Sequence, residues 1–174
     1  QDDGYEAVQI GFGTRREKRI TKPLLGHFKR AGVEPHRHLR EVRLLEGDKA
    51  PEAGTKITCD IFRVGDFVDA IGTMKGRGTA GVIKRHGFSS LNGAHGAHFF
   101  HRHAGSVGCR KPQHTVRGTR MSGRMGATPV TVQNIEVLRV DGEKNLLYLK
   151  GAVPGPNRGL LLLRQAKKRP PKQG

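Results

Sequence analysis

Short runs of apolar and β-branched residues, several alternating with polar residues, occur near both ends of the chain and predict β-strands. The strongest pair is 130–140 (VTVQNIEVLRV) and 145–153 (NLLYLKGAV). Asp141-Gly142 joins them, and this dipeptide tolerates the positive φ angles of a tight hairpin turn. Further strands are predicted at 5–12, 56–62, 67–72 and 160–164.

One short helix is predicted after the first strand. Thr21 and Pro23 suit its first turn, LLGHFKRA supplies its body, and Gly32 ends it. Together these segments predict a mainly β domain in two pieces, 1–72 and 130–164. The basic, Pro-rich tail 165–174 is expected to be solvated or to contact RNA.

The segment between these pieces, residues 73–129, lacks a clear helix or strand pattern and is predicted to be a mostly irregular insertion. No Asp or Glu occurs between Asp69 and Glu136, although that stretch holds ten Lys and Arg, six His and twelve Gly. A surface that lies against phosphates loses carboxylates because each would repel the ligand. Glycine lets backbone approach such a ligand closely. The segment therefore favours a polyanionic partner.

The charge of the whole chain supports this interpretation. A net charge of +17 and a pI near 10.8 are typical of proteins that bind nucleic acid or anionic surfaces. A membrane is the weaker alternative, because no apolar run approaches the roughly 20 residues that a spanning helix needs. The residues predicted to contact RNA are Lys75, Arg77, Lys84, Arg85, His86, Arg102, His103, Arg110, Lys111, Arg117, Arg120 and Arg124.

Other chemistries are considered at the same residues. Gly76, Gly78 and Gly81 spell G-x-G-x-x-G, but a dinucleotide site needs an acidic residue about 20 positions later, and none is present. A solvated glycine loop is the plain alternative. The lack of a carboxylate also argues against a catalytic triad, so we expect no enzyme, no cofactor and no small-molecule substrate.

A histidine cluster raises the possibility of a metal site. His95, His98, His101 and His103 lie close in sequence, with Cys109 as a further ligand, and a metal-dependent DNA-binding module is the alternative function. Their spacing matches no specific metal motif, and no carboxylate is near to orient a ring, so no metal is predicted. Histidine also stacks on bases, which suits the neighbouring aromatic and basic residues.

Apolar residues in the insertion leave structural roles open. Phe99 and Phe100 could be buried, and Met121 and Met125 could form one face of a helix. Cys59 and Cys109 are far apart, which favours free thiols in a reducing compartment over a disulfide framework.

Four segments in order, GTMKGRGTAGVIKRHGF (72–88), HGAHFFHRHAGSVGCRK (95–111), RGTRMSGRMGATPVTVQN (117–134) and NLLYLKGAVPGPNRG (145–159), resemble the bacterial and organellar ribosomal protein L3 family. The resemblance covers nearly all of residues 4–166. His86 stands where relatives commonly have Trp. Relatives also begin with a strand and a Gly-Met-Thr segment that does not precede Gln1, so an N-terminal segment is expected to be missing.

The resemblance implies a small β-barrel of the translation-protein type. It also implies that 73–129 is a loop penetrating the rRNA toward the peptidyl-transferase centre, and that the protein acts early in assembly. The implied partners are large-subunit rRNA and neighbouring large-subunit ribosomal proteins, without a membrane. The implied location is the large ribosomal subunit, in a bacterial cytoplasm or a mitochondrial matrix.

Overall fold

The computed structural model describes residues 4–44 and 50–169 and is mainly β, with open antiparallel sheets. The prediction of a mainly β chain is confirmed. The chain divides into two compact units, 1–58 and 59–174. Within the described ranges, no helix is long and apolar enough to cross a membrane.

The first unit is a two-stranded antiparallel sheet with one helix. Strand β1 (Ala7–Thr14) pairs with β2 (His36–Arg43), and α1 (Lys22–Ala31) lies between them in sequence. Phe28, on α1, is 2% exposed, and its ring meets the imidazole of His36 edge to face at 6.3 Å between centroids. The His36 ring lies against Gly11, where any Cβ would collide with it. Phe28 is thus buried in this unit, and the partly buried His36 packs against its ring.

Both β1 and α1 were predicted, and α1 ends as expected at Gly32, whose φ of 66° is left-handed. Strand β2 was not predicted. Its sequence, HRHLREVR, has too few apolar residues to show a strand pattern. The strand exists because its backbone pairs with β1, from Ala7 opposite Arg43 to Thr14 opposite His36.

The second unit contains a four-stranded antiparallel sheet in the order β7-β6-β3-β8. These strands are β3 (Phe67–Thr73), β6 (Pro129–Asp141), β7 (Leu146–Lys150) and β8 (Leu161–Gln165). All four were predicted, including the hairpin of β6 and β7. The buried core of the sheet is Val68, Ala70, Ile135 and Val137.

Residues 56–62 do not form the predicted strand. Cys59–Ile61 is instead a single 3-10 turn held against the β6–β7 hairpin. The backbone N–H of Cys59 donates to Oδ1 of Asn145 at 2.8 Å, and its thiol donates to the carbonyl of Asp141 at 3.4 Å. Hydrogen bonds to the hairpin thus hold this segment in a turn, although its apolar pattern predicted a strand.

Strand β6 contains a bulge opposite Asp69. The register shifts between Val68 and Ala70, and Asn134 there adopts a φ of 58°. Asp69 is 1% exposed and accepts from the backbone N–H of Asn134 at 3.2 Å and from Nη2 of Arg164 at 3.5 Å. The carboxylate therefore fills the bulge.

Candidate RNA-binding surface

Between β3 and β6 lies the basic extension, residues 74–128. It contains β4 (Thr79–Ala80), α2 (Val82–His86), a 3-10 turn (His98–Phe100) and β5 (Gly123–Arg124), and is otherwise irregular. Its two ends are held to each other. Strand β4 pairs antiparallel with β5, with Thr79 opposite Arg124 and Ala80 opposite Gly123.

Between the four-stranded sheet and the β4–β5 pair, backbone hydrogen bonds connect the outgoing and the returning segment of the chain. The N–H of Met74 donates to the carbonyl of Thr128 at 3.0 Å. The N–H of Arg77 donates to the carbonyl of Met125 at 2.8 Å, and the N–H of Met125 donates to Gly78 at 2.9 Å. We call these two segments, 74–80 and 123–128, the stalk.

The stalk depends on one glycine. Gly126 has a φ of 81°, and a Cβ there would meet the carbonyl oxygen of Lys75 and come within 2.9 Å of the backbone nitrogen of Arg77. Backbone atoms cannot move aside as a flexible side chain can, so only glycine permits this close approach.

Arg85 and His86 contact Met121, two residues before the second segment of the stalk. Arg85 Nη1 donates to the carbonyl of Met121 at 2.8 Å, and His86 Nε2 is 3.0 Å from the same oxygen. Gly123 lies beneath the Arg85 guanidinium, where a Cβ would come within 2.6 Å of Nη1. These two residues therefore hold α2 to the stalk, a structural role that the sequence pattern did not reveal because the contacts span 35 and 36 positions.

The apolar alternatives for the extension are wrong. Phe99 is 90% exposed and Phe100 60% exposed, so neither ring is buried. Met121 and Met125 do not share a helical face, because strand β5 lies between them.

The predicted contact residues share one property, access to solvent. All ten Lys and Arg side chains and His103 are exposed, and His86 is partly buried. None of the ten cations forms an ion pair with another residue in the described part of the chain. The cations are Lys75, Arg77, Lys84, Arg85, Arg102, Arg110, Lys111, Arg117, Arg120 and Arg124.

The carboxylates that border this stretch are already paired. Asp69 is buried against Arg164, and Glu136 accepts from Nζ of Lys150 at 3.0 Å. Their negative charge is therefore compensated by residues outside the extension. The cations of the extension remain free to bind an external anion.

Metal and dinucleotide chemistry gain no support. In residues 4–44 and 50–169, no group of three or more His, Cys, Asp and Glu side chains could hold a metal ion. Cys59 is partly buried and Cys109 exposed, both as free thiols. A helix, α2, does follow Gly81, but it is five residues long and carries Lys84, Arg85 and His86 in its last turn.

Comparison with known proteins gives one consistent result. The family model of ribosomal protein L3 matches residues 47–173. Large ribosomal subunit protein uL3 of Cutibacterium acnes is 49% identical over 175 residues, spanning 100% of this chain and 78% of the relative. The uL3 proteins of Pelotomaculum thermopropionicum and Heliobacterium modesticaldum are 51% and 50% identical, spanning 97% and 95% of this chain and 79% and 78% of their own lengths.

Proposed function

Because this chain belongs to the ribosomal protein L3 family, we propose that it is a structural constituent of the large ribosomal subunit and binds the rRNA of that subunit. The family consists of structural ribosomal components rather than enzymes. The function is therefore binding and positioning, without a catalytic side chain.

One observation carries this proposal: the basic extension exposes ten cations and contains no carboxylate. Cations that form no ion pair within the described residues are available to displace the counterions of a nucleic acid, and this release drives binding. Contacts to phosphate set position and register, whereas base contacts set sequence preference. The extension is built chiefly for the first kind of contact.

The side chains proposed to contact RNA are those that the extension leaves accessible to solvent. Lys75, Arg77 and Arg124 would line the stalk, and the others would line α2 and the irregular tip. Arg85 and His86 have two roles, because they bind Met121 within the chain and still present polar atoms at the surface. The full set is Lys75, Arg77, Lys84, Arg85, His86, Arg102, His103, Arg110, Lys111, Arg117, Arg120 and Arg124.

The wider architecture is part of the same proposal. Residues 1–72 and 130–164 would form the β-barrel domain of the translation-protein type, with 73–129 as the rRNA-penetrating loop and 165–174 as a basic tail. The four-stranded antiparallel sheet of β7, β6, β3 and β8 supports the mainly β character of this domain. The loop would reach toward the peptidyl-transferase centre and support early subunit assembly.

The proposed partners are large-subunit rRNA and neighbouring large-subunit ribosomal proteins. The proposed location is the large subunit, in a bacterial cytoplasm or a mitochondrial matrix. No membrane, cofactor or small-molecule substrate takes part in the proposed function.

A binding measurement tests the function against its rival. The full chain is titrated with a large-subunit rRNA transcript and with duplex DNA, in magnesium buffer with and without a zinc-selective chelator. We expect preferential binding of the rRNA, unchanged by the chelator. Equal binding of DNA, or loss of binding on chelation, would favour the histidine-cluster module instead.

A further inference from the structure

A cavity of about 350 Å³ lies in the irregular middle of the basic extension, between residues 88 and 105. Its walls include the rings of Phe88, Phe100 and His103 and the side chain of Leu91. Since liquid water occupies about 30 Å³ per molecule, the cavity has the volume of about twelve waters, enough for one planar base.

The cavity is defined by contacts within the chain. The backbone N–H of His103 donates to the carbonyl of Phe100 at 3.3 Å, and their rings meet edge to face with centroids 5.3 Å apart. The N–H of Leu91 donates to the carbonyl of His101 at 3.2 Å, which joins Leu91 to this turn. Backbone hydrogen bonds therefore connect the segments that carry Leu91, Phe100 and His103.

The lining is apolar but open to solvent. Phe100 is 60% exposed and Leu91 is 57% exposed. Aromatic rings left accessible in a segment with so little core are available for a partner. The surrounding charge selects that partner, because Arg102, which precedes His103 in the chain, is exposed and no carboxylate occurs between Asp69 and Glu136.

We propose that this cavity receives one unpaired nucleobase of RNA, stacked on the ring of Phe100 and bordered by His103. Single-stranded RNA is commonly bound in this way, with a base on an aromatic ring and cations on the adjoining phosphates. The inference rests on the proposed function and adds to it a contact that depends on ring stacking rather than charge.

The test uses three variants of the full chain and a large-subunit rRNA transcript. Phe100→Leu keeps apolar volume but removes the ring, Phe100→Tyr keeps the ring, and Phe99→Leu changes a neighbouring ring that does not line the cavity. We expect Phe100→Leu to lower the affinity about tenfold without changing its salt dependence. Phe100→Tyr should bind like the unchanged protein, and base-specific chemical probing should show a nucleobase that only Phe100→Leu leaves reactive.

Three results would overturn the inference. Phe100→Leu could bind with unchanged affinity and base reactivity, or Phe100→Tyr could lose affinity equally, which would indicate packing. Phe100→Leu could also weaken retention in assembled subunits but not binding to naked rRNA, which would place a protein side chain in the cavity. The proposed function would survive each of these results, whereas failure of the unchanged protein to bind rRNA would remove both.

Discussion

Replacing three arginines of the basic extension should change the salt dependence of RNA binding by a calculable amount. Arg117, Arg120 and Arg124 are exposed and form no ion pair within the described residues, so changing them to Gln removes no internal salt bridge. Each lost phosphate contact reduces the slope of log K against log salt by about 0.7 on single-stranded nucleic acid. Three lost contacts reduce it by about 2.

This change in slope has a consequence that is easy to measure. Raising salt from 50 to 200 mM, a fourfold step, should weaken the unchanged protein about 20-fold more than the triple variant. Filter binding to a large-subunit rRNA transcript at four salt concentrations measures both slopes. Circular dichroism checks that the variant remains folded.

A matched control separates contacts from net charge. Arg15, Arg16 and Arg19 are also exposed but lie in the first unit, so changing them to Gln removes the same charge outside the extension. The slope of log K against log salt for this control variant should stay closer to that of the unchanged protein. Equal slopes for all three proteins, or an equal reduction in the control, would refute the assignment of phosphate contacts to the extension.

Three further predictions concern stability. Gly126→Ala should destabilise the stalk by about 1–3 kcal/mol, since it combines backbone overlap with a positive φ; Gly78→Ala, at a φ of 68° with open space, should cost less. Amide hydrogen exchange at Met125 compares the two, and equal exchange rates would contradict the overlap. Phe28→Ala should lower the free energy of unfolding by about 3–5 kcal/mol, measured by urea denaturation, whereas a loss below 1 kcal/mol would place Phe28 outside the core. Asp69→Ala should destabilise the β3–β6 bulge more than Asp69→Asn, which retains an acceptor for the N–H of Asn134; equal unfolding midpoints would contradict that hydrogen bond.

Local signals in the sequence were sufficient for much of the fold. The Asp141-Gly142 turn and Gly32 depend on backbone conformations that neighbouring residues specify, so the hairpin and the end of α1 were predictable. Strand β2 was not, because its pairing with β1 is non-local and its side chains are mostly polar. The strand predicted at 56–62 was wrong for a similar reason. Cys59 is held by Asn145, which lies 86 positions away in the chain.

For the candidate RNA-binding surface, too, one part could be predicted from the sequence and another could not. Its charge could be predicted because the absence of carboxylates is visible in the sequence, and the exposure of its cations agrees with that interpretation. The contacts of Arg85 and His86 with Met121 could not be predicted, because they join residues 35 and 36 positions apart in the chain. The cavity at Phe100 likewise requires Phe88 and Leu91, which no motif connects to it.

Sedimentation tests the central claim most directly. A tagged form of the protein is expressed in cells, and ribosomal subunits are separated on sucrose gradients after a high-salt wash. The proposed function predicts that the tag remains with the large subunit, and that replacing Arg117, Arg120 and Arg124 by Glu reduces its incorporation. Release of the unchanged protein into the soluble fraction would contradict a role as a structural constituent of that subunit.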